Sequence, residues 1–216
     1  MNDDDVLKLF KDRGALLQGH FKLTSGLHSD SYLQCALLLQ YGCDADLLGA
    51  ELARRFKKEI PPENKITAVV SPAVGGIVLG YVVARALGAR AMFAERVDGQ
   101  FQLRRGFALM PNENTLVVED VLTTGGSVRE IATLVQASGA QVAGFAALAD
   151  RSAGALQFPA PKHALLRLPL VTYPGDQCAL CAQGIPLVKP GSRPEKSLKA
   201  LGSMPTASSL EPGASL

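Results

Sequence analysis

The sequence has 216 residues, of which 47% are hydrophobic, and carries a formal net charge of +2 at neutral pH. This length suits one α/β domain with a hood or a tail and is short for two full domains, while the hydrophobic share supports a substantial core. The mild charge disfavours a nucleic-acid-binding surface, and no apolar run reaches the roughly 18 to 20 residues that a membrane span needs.

The first part of the chain predicts a helix followed by two short strands. Apolar residues recur at helical spacing over 6–10, and Gly14 is placed to end that helix. Residues 19–32 then read as two short strands around a Ser-Gly turn. The two histidines of this hairpin, His20 and His28, are more often surface or hydrogen-bonded residues than catalysts, so a functional role is the less favoured interpretation.

The next segment predicts a long helix and then a strand that leads into a glycine-rich turn. Asp44 is predicted to cap a helix that runs to about Lys58, with Leu47 among its inward-facing residues. A buried strand at 67–71 is followed by Pro-Ala-Val-Gly-Gly over 72–76 and by an apolar helix. This turn either binds an anion through its backbone or needs glycine only for packing, and the first interpretation is favoured.

A hairpin that carries arginines is predicted next. Residues 92–97 have a strand pattern, the Asp-Gly pair that follows signals a tight turn, and Arg96, Arg104 and Arg105 would cluster near the base of the hairpin. Because charge runs usually face water, the alternative for Arg104 and Arg105 is a solvated hairpin without a binding role.

The central stretch, 116–127, predicts a strand, a loop and the start of a helix. Ser127 and Glu130 have the spacing of a capping box, which places the first helical turn immediately after Gly126. The backbone N–H groups of the loop and the positive end of the helix dipole then point to one spot, which should hold an anion, with phosphate the favoured choice. The hydroxyls of Thr123, Thr124 and Ser127 add donors, so no lysine is needed.

Two acids, Glu119 and Asp120, stand between the predicted strand and this loop. Because a phosphate would be repelled by them, we expect them to face a hydroxyl pair or a divalent cation. Ribose 5-phosphate has a phosphate at one end and adjacent hydroxyls behind it, and it therefore fits both halves of the stretch. The sequence has neither the P-loop nor the dinucleotide-binding glycine pattern, and the remaining alternative is an ordinary turn with exposed acids.

Another apolar strand is predicted at 141–150, with Arg151 directly after it. Two strand–glycine–helix units side by side are typical of parallel βαβ architecture, in which sites form at the carboxyl ends of strands. A planar guanidinium at such an end suits a planar ligand with carboxylate and carbonyl acceptors, because its N–H groups can donate hydrogen bonds to two oxygens at once. The alternative interpretation is an Asp-Arg pair on the surface formed by Asp150 and Arg151.

The C-terminal part contains Cys178 and Cys181 at the ligand spacing of zinc sites. There is only one such pair, and His163 lies upstream without a partner. Two buried thiols are therefore the simpler interpretation, although two subunits could in principle supply four thiolates. Residues 192–216 are rich in Pro, Ser, Gly, Ala and Lys and lack periodicity, so we expect this tail to be disordered.

The N-terminal sequence Met-Asn-Asp-Asp-Asp is acidic and unlike a signal or transit peptide. We therefore expect the protein to stay in the cytosol. In that compartment the four cysteines, Cys35, Cys43, Cys178 and Cys181, should be reduced rather than paired.

Residues 117–127 resemble the phosphoribosyl pyrophosphate signature of type I phosphoribosyltransferases. The pattern Phe-x-Leu-x-Ser-Gly followed by Ser-x-x-Tyr within 19–32, together with Arg151, narrows the resemblance to the orotate phosphoribosyltransferases. The similarity extends from about Gly19 to Arg193.

The resemblance implies an α/β fold with a mainly parallel twisted sheet, flanked by helices and completed by a small N-terminal hood. Residues 1–191 would form a single domain, with hood segments at about 1–40 and 160–191. The hood would close over the base that the enzyme modifies.

The resemblance also implies residues that bind phosphoribosyl pyrophosphate. These would be Arg96, Glu119, Asp120, Val121, Leu122, Thr123, Thr124, Gly125, Gly126 and Ser127, with Val74 and Gly75 at the pyrophosphate. Glu119, Asp120 and Arg96 would act in catalysis. Relatives often carry a lysine at the position of Gly75, so backbone N–H groups would hold the pyrophosphate here. Mg²⁺ would be the cofactor, bound through substrate oxygens without dedicated protein ligands.

Orotate would contact Thr123, Arg151, Tyr32 and Leu33 according to the resemblance. Many members carry a ligand-contacting lysine where this chain has Thr24. A mobile loop that begins with Arg96 would cover the reacting groups and reach into the partner subunit of a homodimer.

The favoured function at this point is transfer of ribose 5-phosphate from phosphoribosyl pyrophosphate to orotate, which yields orotidine 5′-monophosphate and pyrophosphate. Two alternatives remain open. One is the same reaction with a purine or another base as acceptor. The other is a regulator that senses phosphoribosyl pyrophosphate without turning it over, which predicts a basic nucleic-acid-binding face.

Overall fold

The structure, a computed structural model, describes residues 1–23 and 25–190. Thr24, where a family lysine is replaced, and the tail 192–216, which was expected to be disordered, lie outside the described residues. The helices are α1 (Asp3–Asp12), α2 (Cys35–Leu39), α3 (Gly42–Glu59), α4 (Gly76–Leu87), α5 (Gly126–Ala137) and α6 (Ala179–Ala182), with short 3-10 helices at Pro62–Asn64 and Gly175–Gln177. The strands are β1 (Leu16–Lys22), β2 (His28–Leu33), β3 (Ala68–Pro72), β4 (Arg90–Val97), β5 (Gln100–Leu103), β6 (Asn114–Leu122), β7 (Gln141–Asp150) and β8 (Lys162–Arg167).

The main sheet has six strands in the order β5-β4-β3-β6-β7-β8. All neighbouring pairs are parallel except the hairpin of β4 and β5, which turns at Asp98 and Gly99. This arrangement confirms the predicted mainly parallel sheet and the predicted hairpin. It also brings the carboxyl ends of β3, β6 and β7 to one edge, where the loops of the central motif lie.

Helices cover both faces of this sheet, and the alternation of side chains along the strands explains why. Leu116 and Val118 of β6 belong to one hydrophobic core, while Val117 between them belongs to the other. The first core is completed by apolar residues of α1, α3 and α4, and the second by Val128 and Ile131 of α5. Successive side chains of a strand point to opposite faces, so a strand buried on both faces reads as a continuous apolar run.

Helix α3 differs from its prediction at its first turn. It begins at Gly42 with Tyr41 as the N-cap residue, and Asp44 does not cap it. The Asp44 carboxylate instead accepts a hydrogen bond from the Arg13 guanidinium at 2.6 Å. Leu47, predicted to face inward, is 49% exposed on the outer side of the helix. A partner distant in sequence therefore outweighed the local capping preference.

The hood is a separate two-stranded antiparallel sheet formed by β1 and β2, as predicted. The C-terminal segment 170–190 continues it on both sides, because Tyr173 pairs with His28 and Val188 pairs with Phe21. The predicted hood boundary at residue 160 is wrong, since β8 forms the edge of the main sheet with Leu165 and Leu166 buried.

Within the described residues, no helix has the length and hydropathy required to cross a bilayer.

Candidate active site

A cavity of about 630 Å³ lies between the carboxyl ends of β6 and β7 and the hood. A volume of this size accommodates a small organic ligand. The cavity brings together all the sequence-predicted site residues except Val74 and Gly75; those that line it are Tyr32, Leu33, Arg96, Glu119, Asp120, Val121, Leu122, Thr123, Thr124, Gly125, Gly126, Ser127 and Arg151.

Several residues of the lining were not identified from the sequence. The hood contributes Lys22, Leu23, Ser25 and Leu27, the C-terminal segment contributes Leu170, Thr172 and Pro190, and α5 contributes Glu130. The hood pattern pointed to its part of the cavity, but no local signal in the C-terminal segment indicated that it lines the cavity.

The N-terminus of α5 forms the floor of the cavity. Gly125 is its N-cap residue with φ +75, a left-handed conformation that favours glycine, and no described side chain caps the helix. A Cβ at Gly125 would lie 3.0 Å from the Leu156 side chain, so the position also lacks space. The first N–H groups of a helix have no intrahelical partner, and here they remain available to a ligand.

The predicted capping box of Ser127 and Glu130 is wrong. Glu130 instead pairs through both carboxylate oxygens with the Arg96 guanidinium of β4, at 2.9 and 3.0 Å. Because two charge-assisted hydrogen bonds are stronger than one bond to a backbone N–H, the long-range pair prevails over the local motif.

A second helix N-terminus without a side-chain cap lies at the same edge of the sheet. Helix α4 has Gly75 as its N-cap residue, and the preceding Ala73–Val74 peptide bond is cis. A Cβ at Gly75 would lie only 2.5 Å from an Asp120 carboxylate oxygen, so the turn and the acidic pair of β6 are in direct contact. Val74 does not line the cavity, and 82% of it is exposed.

The acidic pair occupies two different environments. Glu119 is buried, with 8% of its surface exposed, whereas Asp120 is half-buried and lines the cavity. Burial first, and then the negative charge of Asp120, raise the pKa of Glu119 from 4.5 to about 9. The Asp120 carboxylate accepts a hydrogen bond from the Val121 N–H at 2.8 Å. The ligand-free site therefore presents one protonated carboxyl group beside one carboxylate.

This arrangement makes Glu119 destabilising above acidic pH. Between pH 4.5 and about 9 the unfolded chain has ionised Glu119 while the folded chain keeps it protonated, so stability falls as pH rises through this window. Glu119→Gln should remove that loss, and the variant should gain up to about 3 kcal/mol over wild type between pH 4.5 and pH 7. Urea unfolding at pH 5, 7 and 9 measures the difference.

Glu63→Gln, on an exposed 3-10 turn, is the matched control and should show no pH-dependent gain. A stability difference between Glu119→Gln and wild type that stays constant from pH 5 to pH 9 would contradict the raised pKa.

Arg151 follows β7 at the wall of the cavity. Its Nε atom is buried and has no hydrogen-bond partner among the described residues. Burial lowers the pKa of this guanidinium from its ordinary value. The surface Asp-Arg pair considered above is not formed, because Asp150 pairs with Lys162 at 2.7 Å. An unsatisfied cationic donor in a cavity indicates that a ligand with oxygen acceptors completes it.

Arg96 lines the cavity from β4, and its guanidinium lies 4.1 Å from the centre of the Phe101 ring. Within the described part of the chain, the lining includes neither Arg104 nor Arg105. Arg105 pairs with Glu95 at 2.9 Å. The structure therefore brings only Arg96 of these three arginines to the cavity, and a covering role for Arg104 or Arg105 stays a prediction.

A family model, sequence relatives and a solved structure all match this chain to phosphoribosyltransferases. Residues 46–160 match the phosphoribosyl transferase domain family. The chain is 51% identical over 193 residues to the orotate phosphoribosyltransferase of Pelotomaculum thermopropionicum, across 89% of this chain and 99% of the relative. It is 50% identical over 189 residues to that of Carboxydothermus hydrogenoformans, across 88% and 97%. The crystal structure of orotate phosphoribosyltransferase from Aeropyrum pernix matches with a TM-score of 0.62 at 25% identity, covering 76% of this chain and 93% of that chain.

Proposed function

The chain belongs to the orotate phosphoribosyltransferases of the phosphoribosyl transferase family, and from this premise we propose how its cavity carries out the transfer. The reaction moves ribose 5-phosphate from phosphoribosyl pyrophosphate to N1 of orotate and yields orotidine 5′-monophosphate and pyrophosphate, a step of pyrimidine biosynthesis. One observation carries the proposal: a single cavity contains a helix N-terminus that no described side chain caps, which suits a phosphate, and an arginine whose buried Nε has no partner among the described residues, which suits a planar carboxylate.

The 5′-phosphate is assigned to the start of α5. Thr123, Thr124 and Ser127 line the cavity there and add hydroxyl donors to the backbone N–H groups. The turn at Val74 and Gly75 is assigned to the pyrophosphate, because α4 offers a second uncapped N-terminus against Asp120. The two anionic ends of one substrate would thus be held by two neighbouring strand–helix turns.

The acidic pair lies between these two anion sites and is assigned to the ribose. In the reaction the bond from the anomeric carbon to pyrophosphate breaks and the bond to N1 of orotate forms, with positive charge developing on the sugar ring as in glycoside chemistry. The carboxylate of Asp120 would accept hydrogen bonds from ribose hydroxyls and stabilise that charge electrostatically. No covalent nucleophile is required.

Mg²⁺ is part of the proposal and would be bound mainly by pyrophosphate oxygens, and Glu119 and Asp120, which carry carboxyl oxygens, line the same cavity. When bound it would neutralise charge on the leaving pyrophosphate. These residues fit such a role, since Mg²⁺ prefers oxygen ligands and retains several waters.

Orotate is assigned to the hood side of the cavity. The Arg151 guanidinium would pair its carboxylate and carbonyl oxygens, while Tyr32 and Leu33 line the wall and Thr123 the floor. Arg96 would cover the reacting groups. Lys22 also lines the cavity and is the hood's basic residue closest in sequence to Thr24, so it is assigned the cationic contact that relatives make with a lysine.

Pyrophosphate release tests the function directly. The purified protein is mixed with phosphoribosyl pyrophosphate and Mg²⁺, and with orotate, adenine or hypoxanthine as acceptor. Turnover with orotate alone is the expected result. Turnover with a purine but not with orotate would move the assignment to the purine class, and tight binding of phosphoribosyl pyrophosphate without turnover would indicate the sensor.

A homodimer is proposed from an apolar stripe on α4. Val78 and Tyr81 are three positions apart and share one face of the helix, where they are 45% and 56% exposed, and the exposed Val74 lies just before the helix. Exposed apolar residues grouped in this way mark interaction surfaces more often than isolated ones do.

Tyr81→Glu should therefore shift the protein from dimer to monomer, because a carboxylate would be desolvated at the interface, and dimer affinity should fall by about 100-fold or more. Light scattering coupled to gel filtration measures the mass. Met110→Glu, at an exposed apolar residue elsewhere, should leave the dimer intact. A wild-type protein that is monomeric at all concentrations would contradict the proposal.

The cytosolic location is likewise a proposal. It is supported by the four cysteines, all of which are free in the structure.

A further inference from the structure

Four potential metal-binding side chains meet within the hood and its C-terminal segment, and none of them lines the cavity. His20 and His28 come from the two strands of the hairpin, and Cys178 and Cys181 come from the C-terminal segment. The potential ligand atoms of all four lie within 4.8 Å of one another. Three of the four residues are buried, and Cys181 is exposed, which leaves a path for an ion to enter.

Several distances in this cluster are close to those of a tetrahedral site. His20 Nε2 lies 3.0 Å from His28 Nδ1, Cys178 Sγ lies 3.4 Å from His20 Nε2, and Cys181 Sγ lies 3.3 Å from His28 Nδ1. Tetrahedral zinc with ordinary Zn–N and Zn–S bonds would hold such ligand atoms roughly 3.3 to 3.8 Å apart. These three pairs need shifts of only a few tenths of an ångström, and the widest pair, which lies within 4.8 Å, would have to close by at most about 1 Å around a central ion.

The orientation of His20 supplies a second observation. Its other ring nitrogen, Nδ1, lies 2.8 Å from the Ile185 carbonyl oxygen. A carbonyl can only accept, so Nδ1 carries the proton and Nε2 directs its lone pair into the cluster. Metal-binding histidines are oriented in this way by a hydrogen bond from the nitrogen that does not bind the metal.

We propose that His20, His28, Cys178 and Cys181 bind one structural Zn²⁺ per chain. The two thiols lose their protons to solvent when the ion binds, so the two thiolates balance its charge. A site with two nitrogen and two sulfur ligands at tetrahedral spacing is typical of zinc, and four protein ligands leave no open position for catalysis. Two histidines of the same chain therefore supply the remaining two ligands, and no thiolate from a second subunit is needed.

The position of this site indicates what the zinc does. Its ligands come from β1, β2 and the segment around α6, and the same segments line the active-site cavity with Tyr32, Leu33 and Thr172. The only other ties between the hairpin and the C-terminal segment that the structure describes are backbone pairs and a few side-chain contacts, such as Ser29 to the Val171 carbonyl. Zinc would therefore link the C-terminal segment to β1 and β2 and hold the cavity-lining residues of both in position.

Elemental analysis of the protein, purified without added chelator or metal, tests the proposal without reference to activity. One zinc per chain is expected, and Cys178→Ser with Cys181→Ser should lose it. Cys43→Ser, at a free exposed cysteine, is the matched control and should retain it. A protein without zinc that also fails to take up added Zn²⁺ would overturn the proposal, as would full zinc content in the double variant.

Cobalt provides a readout that does not depend on variants that fold poorly. Replacing the bound ion of the wild type with Co²⁺ should give the visible absorption of tetrahedral cobalt with thiolate ligands. Removing the ion should lower the melting temperature of the ligand-free protein by roughly 5 to 10 °C. An octahedral cobalt spectrum, or a disulfide between Cys178 and Cys181 in the freshly purified protein, would refute the site. The metal content, the cobalt spectrum and the melting temperature do not depend on transferase activity, so the zinc site can fail while the proposed function holds, and the reverse.

Discussion

Asp120→Asn should lower turnover by about 100-fold to 1,000-fold while the protein remains folded. Asparagine has the shape of aspartate, and its carbonyl oxygen can still accept the Val121 N–H that now bonds to Asp120. Only the charge is removed. Because Glu119 is protonated at neutral pH, Asp120 supplies the negative charge of the acidic pair in the wild type.

The stability of this variant separates a catalytic role from a structural one. Without the charge of Asp120, the pKa of Glu119 should fall, so the melting temperature of Asp120→Asn should be no lower than that of wild type. The control Asp12→Asn makes the same change on the exposed side of α1 and should leave turnover unchanged. An unchanged rate in Asp120→Asn would remove the acidic pair from the mechanism.

Gly75→Ala should perturb Asp120 without removing its charge, and its effect on turnover should be smaller than that of Asp120→Asn. A methyl group at position 75 would meet the Asp120 carboxylate at 2.5 Å and displace it. Since the position of a reacting group matters at the level of about 1 Å, a displaced carboxylate is expected to cost activity even though its charge is kept.

The architecture could be predicted from the sequence because its signals are local and repeated. The apolar runs of β3, β6 and β7 are largely buried, and each of these strands is followed by a turn that contains polar residues or glycines. Parallel strands place those turns at one edge, so residues far apart in sequence, such as Gly75, Asp120 and Arg151, were expected in one place. The structure confirms that placement for Asp120 and Arg151 in the cavity and for Gly75 beside it.

The features that were missed depend on partners distant in sequence. Asp44 and Glu130 both have the local spacing of caps, yet each pairs with an arginine from another element, Arg13 and Arg96. The cluster of two histidines and two cysteines is the extreme case, since Cys178 and His20 are separated by 158 positions. Each half of this cluster is ambiguous by itself, and only the hood brings the two halves together.

The active site itself is unfavourable for stability in the absence of ligand. Glu119 is buried in a protonated state next to a carboxylate, and the Arg151 Nε is buried without a partner. Burying the Arg151 Nε without a partner among the described residues costs about 1 to 3 kcal/mol. Keeping Glu119 protonated costs the free energy of its raised pKa. Such costs are expected where a ligand completes the interactions, and they predict that the apo protein becomes more stable when the groups are removed.

Arg151→Met should make the ligand-free protein more stable and weaken the binding of orotate. The variant keeps much of the side chain's volume and removes the unsatisfied donor, so the ligand-free protein should be more stable by roughly 1 to 2 kcal/mol. The KM for orotate should rise by about 100-fold, because two charge-assisted hydrogen bonds to the ligand are lost. The KM for phosphoribosyl pyrophosphate should change little. Initial rates with each substrate varied in turn, together with urea unfolding, measure both effects.

Two further variants distinguish the shape of the guanidinium from its charge. Arg151→Lys keeps the charge but loses the planar fork, so its KM for orotate should lie between those of wild type and Arg151→Met. Arg167 ends the neighbouring strand β8, is exposed and does not line the cavity, so Arg167→Met should affect neither KM. If Arg151→Met raised the KM for phosphoribosyl pyrophosphate and left the KM for orotate unchanged, the assignment of orotate to Arg151 would be wrong.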